Sequence, residues 1–309
     1  MTDPLLAPLS PDCVAMRQSA LDQALPPVWQ LDPETAVRLH IEGNLAARAA
    51  WQPPIDTLRV RATDLPAADD RPPLRMYEPE DAESSVVIAW IHGGGWVLGN
   101  LDTADAICRT LCDLTGWAVA SVDYGCAPDH PFPRAVDDSV EAVEWLLGRW
   151  SRVVVAGDSA GATLAAVVAQ ALGSHPALVG QILAYPATDP GLSSASAREF
   201  TEGPFLTRRD MEWFYDQYVS APDRADPRVH LAGHEPAQPV VPAIVLTVGH
   251  DPLRDEGIAY ARALAAAGGA VEWIHAPDLY HGAFTQAGVL PTAASRVRQV
   301  CAIAQSMFS

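Results

Sequence analysis

Lysine is absent, and all twenty basic residues of the 309-residue chain are arginine. Schiff-base, pyridoxal-phosphate and P-loop chemistry each depend on a lysine, so those three classes are excluded. Cysteine is scarce: Cys13, Cys108, Cys112, Cys126 and Cys301 form no C-x-x-C pair, which argues against zinc and fits free thiols in a reducing compartment. Positive charge is short as well. The formal charge is −18, with acids spread along the chain, so neither nucleic acid nor an anionic membrane is an expected partner. The same field favours neutral substrates over anionic ones. No apolar run reaches the length of a membrane span, and even residues 161–172 are stopped by Gly173. The first ten residues hold one acid and two prolines but no basic start to a secretory signal, so a cytoplasmic protein is expected.

What is present is an apolar composition, 49% of residues against 19% charged, which suits a parallel sheet buried on both faces. α/β chains of this length often close around one core, so a single domain over residues 1–309 is expected. The first fifty residues read as helices broken by Pro26 and Pro27, with Asp32 capping a helix over 34–49. Residues 58–62 and 74–77 are short and extended, predicting an antiparallel hairpin. Strands at 86–91, 118–122, 153–156, 181–184, 243–248 and 271–275 then alternate with helices at 102–115, 134–149, 160–172, 257–267 and 292–305. That order is an open, doubly wound α/β architecture. Between Asp189 and Pro242 the alternation stops around an aromatic-rich helix, and a cap built from about 1–50 and 190–240 is expected over the strand ends.

Gly157-Asp158-Ser159-Ala160-Gly161 follows an apolar strand and opens an alanine-rich helix. In that context G-x-S-x-G makes a sharp turn that pushes the serine hydroxyl out at the top of the sheet. His92-Gly93-Gly94-Gly95-Trp96 also follows a strand. Its glycines leave backbone amides free to face a ligand, and the amides of Gly94, Gly95 and Ala160 are the candidate oxyanion donors. A phosphate-binding loop would need a lysine or G-x-G-x-x-G spacing, and both are missing. His92 itself is expected to hold the loop in place.

The serine needs a base and an acid, each following it in the chain on a loop after a strand. Of nine histidines, His281 in Leu279-Tyr280-His281-Gly282-Ala283-Phe284 fits best. His275 falls inside the preceding strand, and His40, His130, His175, His230, His234 and His250 lie outside the expected order or crowd the acid. Asp251, directly after the strand at 243–248, is the candidate acid, with Asp278 in reserve. Asp255 and Glu256 sit where a helix begins, and capping accounts for them. Trp96, Leu98, Trp213, Phe214 and Tyr218 are candidate pocket walls, with ordinary packing as the competing reading.

With these residues assembled, the chain resembles the bacterial esterase branch of the hormone-sensitive-lipase-like family of α/β-hydrolases. Asp123-Tyr124 followed by Ala127-Pro128-Asp129-His130 is similar to the family's D-Y-R-L-A-P-E block. Tyr185-Pro186-Ala187-Thr188-Asp189 and Asp251-Pro252-Leu253-Arg254-Asp255-Glu256-Gly257 also match. The resemblance implies an α/β-hydrolase fold, a mostly parallel sheet of about eight strands flanked by helices under a helical cap. It also implies a Ser159, Asp251 and His281 triad, an oxyanion hole of Gly94, Gly95 and Ala160, and hydrolysis of short-acyl carboxylic esters without cofactor or metal. Two departures stand out. Gly125 and Cys126 stand where Arg-Leu is usual, which puts a supporting salt bridge in question, and Ala283 separates Gly282 from Phe284 in the histidine loop.

The expected reaction runs through an acyl-enzyme, with neutral His281 as base, so activity declines as the imidazole protonates. The same triad on an amide or an N- or O-acetyl group is the nearest alternative. A dehydratase with an idle serine and a binding-only protein are further ones. The expected partners are a small neutral ester and, at most, a second copy of the chain as a homodimer.

Overall fold

A run such as Val86–Ile91 has no polar alternation, and in the computed structural model all six of its residues are buried. The structure describes residues 4–51, 59–80 and 84–309. Eight strands form one sheet: β1 (Val60–Leu65), β2 (Leu74–Pro79), β3 (Val86–Ile91), β4 (Ala118–Val122), β5 (Arg152–Asp158), β6 (Leu178–Ala184), β7 (Ala243–His250) and β8 (Val271–Tyr280). Their order is β1-β2-β4-β3-β5-β6-β7-β8. β2 is antiparallel to β1 and β4, and the remaining pairs are parallel. The expected hairpin is present with Ala62 opposite Tyr77, although Leu58 lies outside the described residues.

Nine helices are seen among the described residues: α1 (Pro11–Gln23), α2 (Pro33–Ala49), α3 (Leu101–Thr115), α4 (Arg134–Leu147), α5 (Ala160–Leu172), α6 (Ala195–Glu199), α7 (Arg208–Tyr218), α8 (Arg254–Ala266) and α9 (Pro291–Phe308). The two-residue period of a strand sends neighbouring side chains to opposite faces. Val87, Ala89 and Ile91 accordingly join the core under α4, α5 and α8, whereas Val86, Ile88 and Trp90 join the one under α3 and α9. The α2 cap is as expected, the Asp32 carboxylate accepting from Thr35 N–H at 2.9 Å.

One boundary differs in a way that matters. The sequence places the end of β8 near His275, but the strand continues to Tyr280, still paired with β7 through a register shift that sets His250 opposite Tyr280, and its outer edge is covered. The amides of Ala7 and Ser10 donate to the carbonyls of Pro277 and Asp278 at 3.1 and 3.0 Å. Asp278, the reserve acid, is therefore a strand residue. No helix among the described residues is long and apolar enough to cross a membrane.

Candidate active site

β5 hands the chain to α5 through Ser159, whose φ of 54° and ψ of −124° lie where side-chain-bearing residues are strained. The close approach that enforces this turn is visible at its glycines. A Cβ on Gly161 would stand 2.0 Å from the Ile91 carbonyl oxygen, and one on Gly157 would stand 2.5 Å from the same atom. The Ser159 N–H is taken by the Ala184 carbonyl at 2.8 Å, which fixes the turn.

Asp251 follows β7 and is fully buried. One of its oxygens accepts from Leu253 N–H at 2.8 Å and the other is 2.9 Å from His281 Nδ1. A carboxylate accepts, so Nδ1 carries the proton and Nε2 is left as an acceptor. That Nε2 is 2.8 Å from Ser159 Oγ. The His281 N–H donates to the His250 carbonyl at 3.2 Å, and the Tyr185 ring lies 4.5 Å away, restricting rotation of the imidazole. The three residues come from the carboxyl ends of β5, β7 and β8, where an α/β sheet gathers its loops.

The glycine loop lies beside this path. Gly95 has φ of 61°, and a Cβ there would stand 2.2 Å from the Phe214 ring. The N–H groups of Val97 and Leu98 close the loop onto the Gly94 carbonyl at 3.1 and 2.8 Å. Those of Gly94, Gly95 and Ala160 donate to no group among the described residues. His92 holds the loop as expected: Nδ1 donates to the Gly93 carbonyl at 2.8 Å and its ring stacks on Tyr124 at 4.3 Å. Burial pushes this histidine down to about 4, so it stays neutral. The Tyr124 hydroxyl also donates to the His92 carbonyl at 2.9 Å.

Asp158, the variable position of the serine motif, was not singled out by sequence. Its carboxylate accepts from Gly93 N–H at 2.9 Å and thereby ties the glycine loop to the serine turn. Burial raises it to about 6, against the opposing pull of the Gly93 N–H and of His281.

The remaining sequence candidates separate. Asp255 and Glu256 do more than open α8: Asp255 accepts from Ser196 N–H at 2.8 Å, and buried Glu256 accepts from Thr188 and Asp189 N–H at 2.6 and 3.1 Å. Asp255 thus ties the 190–240 insertion to α8, and Glu256 ties down the segment that leads into it. His250 and His275 meet the carbonyls of Ala7 and Leu5 at 2.8 and 2.9 Å. Where Arg-Leu is usual, the Gly125 N–H and the Arg134 guanidinium meet the buried Asp138 carboxylate at 2.8 Å each. That ion pair lies within α4, between residues four apart. Ala283 is fully buried in the turn that follows the histidine.

Ser159 and His281 open onto a cavity of about 740 Å³. Of the candidate walls, Leu98 and Phe214 line it, whereas Trp96, Trp213 and Tyr218 do not. The reason is helical register. Asp210, Met211 and Phe214 share the face of α7 that looks into the cavity. Tyr218, one turn further, stacks under Trp96 at 4.5 Å in the core, and Trp213 meets Phe214 edge-on at 5.2 Å. The cap side is lined by α1 and α2 residues outside the candidate set, including Asn44 and His40, the latter set aside as a base by its place in the chain order. No guanidinium reaches the cavity among the described residues, nor does any group of His, Cys, Asp and Glu there form a metal-binding cluster.

A family model described as an alpha/beta hydrolase fold matches residues 88–285. Carboxylic ester hydrolase LipN of Mycobacterium tuberculosis is 41% identical over 269 residues, covering 81% of this chain and 70% of the relative. An ethyl acetate hydrolase of Pseudomonas putida is 36% identical over 223 residues, covering 68% and 70%. Among solved structures, a hyperthermophilic esterase from Pyrobaculum calidifontis shares 33% identity at a TM-score of 0.87, covering 97% of this chain and 99% of that one. A thermostable esterase from Pseudomonas putida shares 28% identity at a TM-score of 0.89, covering 100% and 99%.

Proposed function

The chain belongs to the hormone-sensitive-lipase-like family of α/β-hydrolases and is a carboxylic ester hydrolase, and from that premise we propose that it cleaves small, neutral, short-acyl esters with Ser159 as nucleophile, His281 as base and Asp251 as orienting acid. The observation that carries this reading is the unbroken hydrogen-bonded path from Ser159 Oγ to His281 at 2.8 Å and from His281 to Asp251 at 2.9 Å.

In this mechanism His281 Nε2 accepts the Ser159 proton as Oγ attacks the ester carbonyl. The amides of Gly94, Gly95 and Ala160 receive the charge that develops on the carbonyl oxygen, each donor contributing about 3 kcal/mol to the transition state. His281 then passes its proton to the departing alcohol, leaving an acyl-serine. Water, deprotonated by the same imidazole, releases the acid. Asp251 keeps the ring in the tautomer that leaves Nε2 free and stabilises the imidazolium.

Neutral substrates are favoured by a cavity that no guanidinium reaches among the described residues and that has the carboxyl groups of Asp158 and Asp210 in its wall. The relative acting on ethyl acetate supports a short acyl group. We read residues 1–309 as one domain, capped by 1–50 and 190–240, and the five free cysteines support a reducing compartment as its setting. Hydrolysis of acetate, butanoate and octanoate esters, run beside Ser159→Ala, tests the reading. The variant is expected to lose activity by a factor on the order of 10⁴ to 10⁶. A variant that kept hydrolysing within about tenfold of the parent, where a lost nucleophile costs orders of magnitude more, would overturn it.

A further inference from the structure

The cavity wall is divided in character. Where α7 packs against residues 28–30, the lining is mostly apolar, with Val28, Leu31, Leu206, Met211 and Phe214 beside the carboxyl of Asp210. Where α2 and residues 283–286 pack on α3, it carries His40, Asn44 and Gln286. None of these three belongs to the triad or the glycine loop.

Their hydrogen bonds determine which groups remain to face a ligand. The Asn44 amide nitrogen is a donor, since it donates to the His40 carbonyl at 3.0 Å, and it also lies 3.2 Å from His40 Nε2. His40 Nε2 is therefore the acceptor, and the ring proton is on Nδ1. That leaves the His40 Nδ1–H as a donor and Asn44 Oδ1 as an acceptor. Gln286 Oε1 accepts from the Tyr280 hydroxyl at 2.6 Å, so its amide N–H groups are donors. None of these remaining groups bonds to a partner among the described residues. Burial pushes His40 down to about 4, so the ring is uncharged in the neutral range.

The two nitrogens of an imidazole point to opposite sides of the ring, so the His40 Nδ1–H faces away from Asn44. The group that calls for a ligand proton is Asn44 Oδ1, an acceptor that a hydroxyl satisfies while its own oxygen stays free to accept from another donor. A carboxylate would find no cation here, and an ether or a carbonyl would leave Asn44 Oδ1 without a proton. We propose that His40 and Asn44 of α2, with Gln286 from the histidine loop, form a hydrogen-bonding subsite that recognises a substrate hydroxyl, so that hydroxylated esters are preferred over their deoxy counterparts. The proposal rests on the ester-hydrolase reading of the site.

Two matched pairs test it: ethyl 3-hydroxybutanoate against ethyl butanoate, for a hydroxyl on the acyl side, and 2-hydroxyethyl butanoate against propyl butanoate, for the alcohol side. In one pair the parent enzyme is expected to favour the hydroxylated ester in kcat/KM by about three- to tenfold, as for one or two net hydrogen bonds, with the difference carried by KM. His40→Phe and Asn44→Ala, each checked for folding by thermal melting, should bring that ratio towards one. Equal kcat/KM within both pairs for the parent would overturn the proposal. So would a preference that survives in both variants, or a loss falling equally on both members of a pair, which would make the two residues props for the cap. Failure of the esterase reading looks different, since none of the four esters would then be turned over, and both proposals would fall together.

Discussion

Asp158 illustrates how one side chain can serve a site without touching its chemistry. The serine motif marks this position as variable, so its role depends on what lies across from it, and the partner is the amide of Gly93, 65 residues away in the chain. Because burial raises this carboxyl to about 6 from 3.8, the fold favours its protonated form. Its contribution to stability is complete below about 3.8 and is lost as pH rises through about 6. Asparagine keeps an oxygen for the Gly93 N–H and carries no charge. Asp158→Asn is therefore expected to be more stable than the parent by about 1–3 kcal/mol at neutral pH, with the gap closing on acidification. Urea unfolding across that range measures it, and a gap that is constant with pH would contradict the burial argument. Ser159 and His281 were legible because the chemistry restricts both residue type and context: an elbow between strand and helix, and a later loop after a strand. His40 was not, since nothing in the local pattern of α2 says which side of the helix faces the nucleophile.

At the scale of elements, the central strands and their helices were readable to within a few residues, because burial on both faces demands continuous apolar runs and helices show their period. β8 and α7 were the exceptions. β8 runs on past His275 because it stays paired with β7 as far as His250 opposite Tyr280, and residues 7–10 add two bonds along its outer edge, non-local contacts with no signature in the strand itself. On α7, aromatic content drew attention to Trp213 and Tyr218, but register gives the cavity to Met211 and Phe214. The segment leading into the insertion that contains α6 and α7 is held by the Glu256 carboxyl, which accepts from the buried Thr188 N–H and the half-buried Asp189 N–H and is itself pushed well above the usual carboxyl range by burial. Glu256→Ala would orphan both N–H groups and is expected to cost about 2–4 kcal/mol in denaturant unfolding. Glu256→Gln retains the acceptor oxygen and should stay within about 1 kcal/mol of the parent. Equal losses in the two variants would mean that charge, and not the acceptor, anchors the insertion.

Over the whole molecule, a charge of −18 surrounds a cavity that no guanidinium reaches among the described residues. Field and site therefore act in the same direction against an anionic substrate. Ethyl pentanoate is expected to exceed the ethyl half-ester of succinate in kcat/KM by at least about tenfold at low ionic strength. The ratio should narrow as salt is raised, because the screening length falls from about 30 Å at 0.01 M to about 3 Å at 1 M. A ratio indifferent to salt would place the discrimination in local contacts alone.

Composition and motif order were sufficient to determine the sheet class, the excluded chemistries, and the candidate serine, imidazole and carboxylate, since each follows from constraints that act within a short stretch of chain. Which side chains wall the cavity, what ties the glycine loop to the serine turn, and what meets the buried Asp138 carboxylate were decided only by the tertiary structure. These depend on distances between segments far apart in sequence, and a periodic pattern carries no information about which distant backbone it will meet.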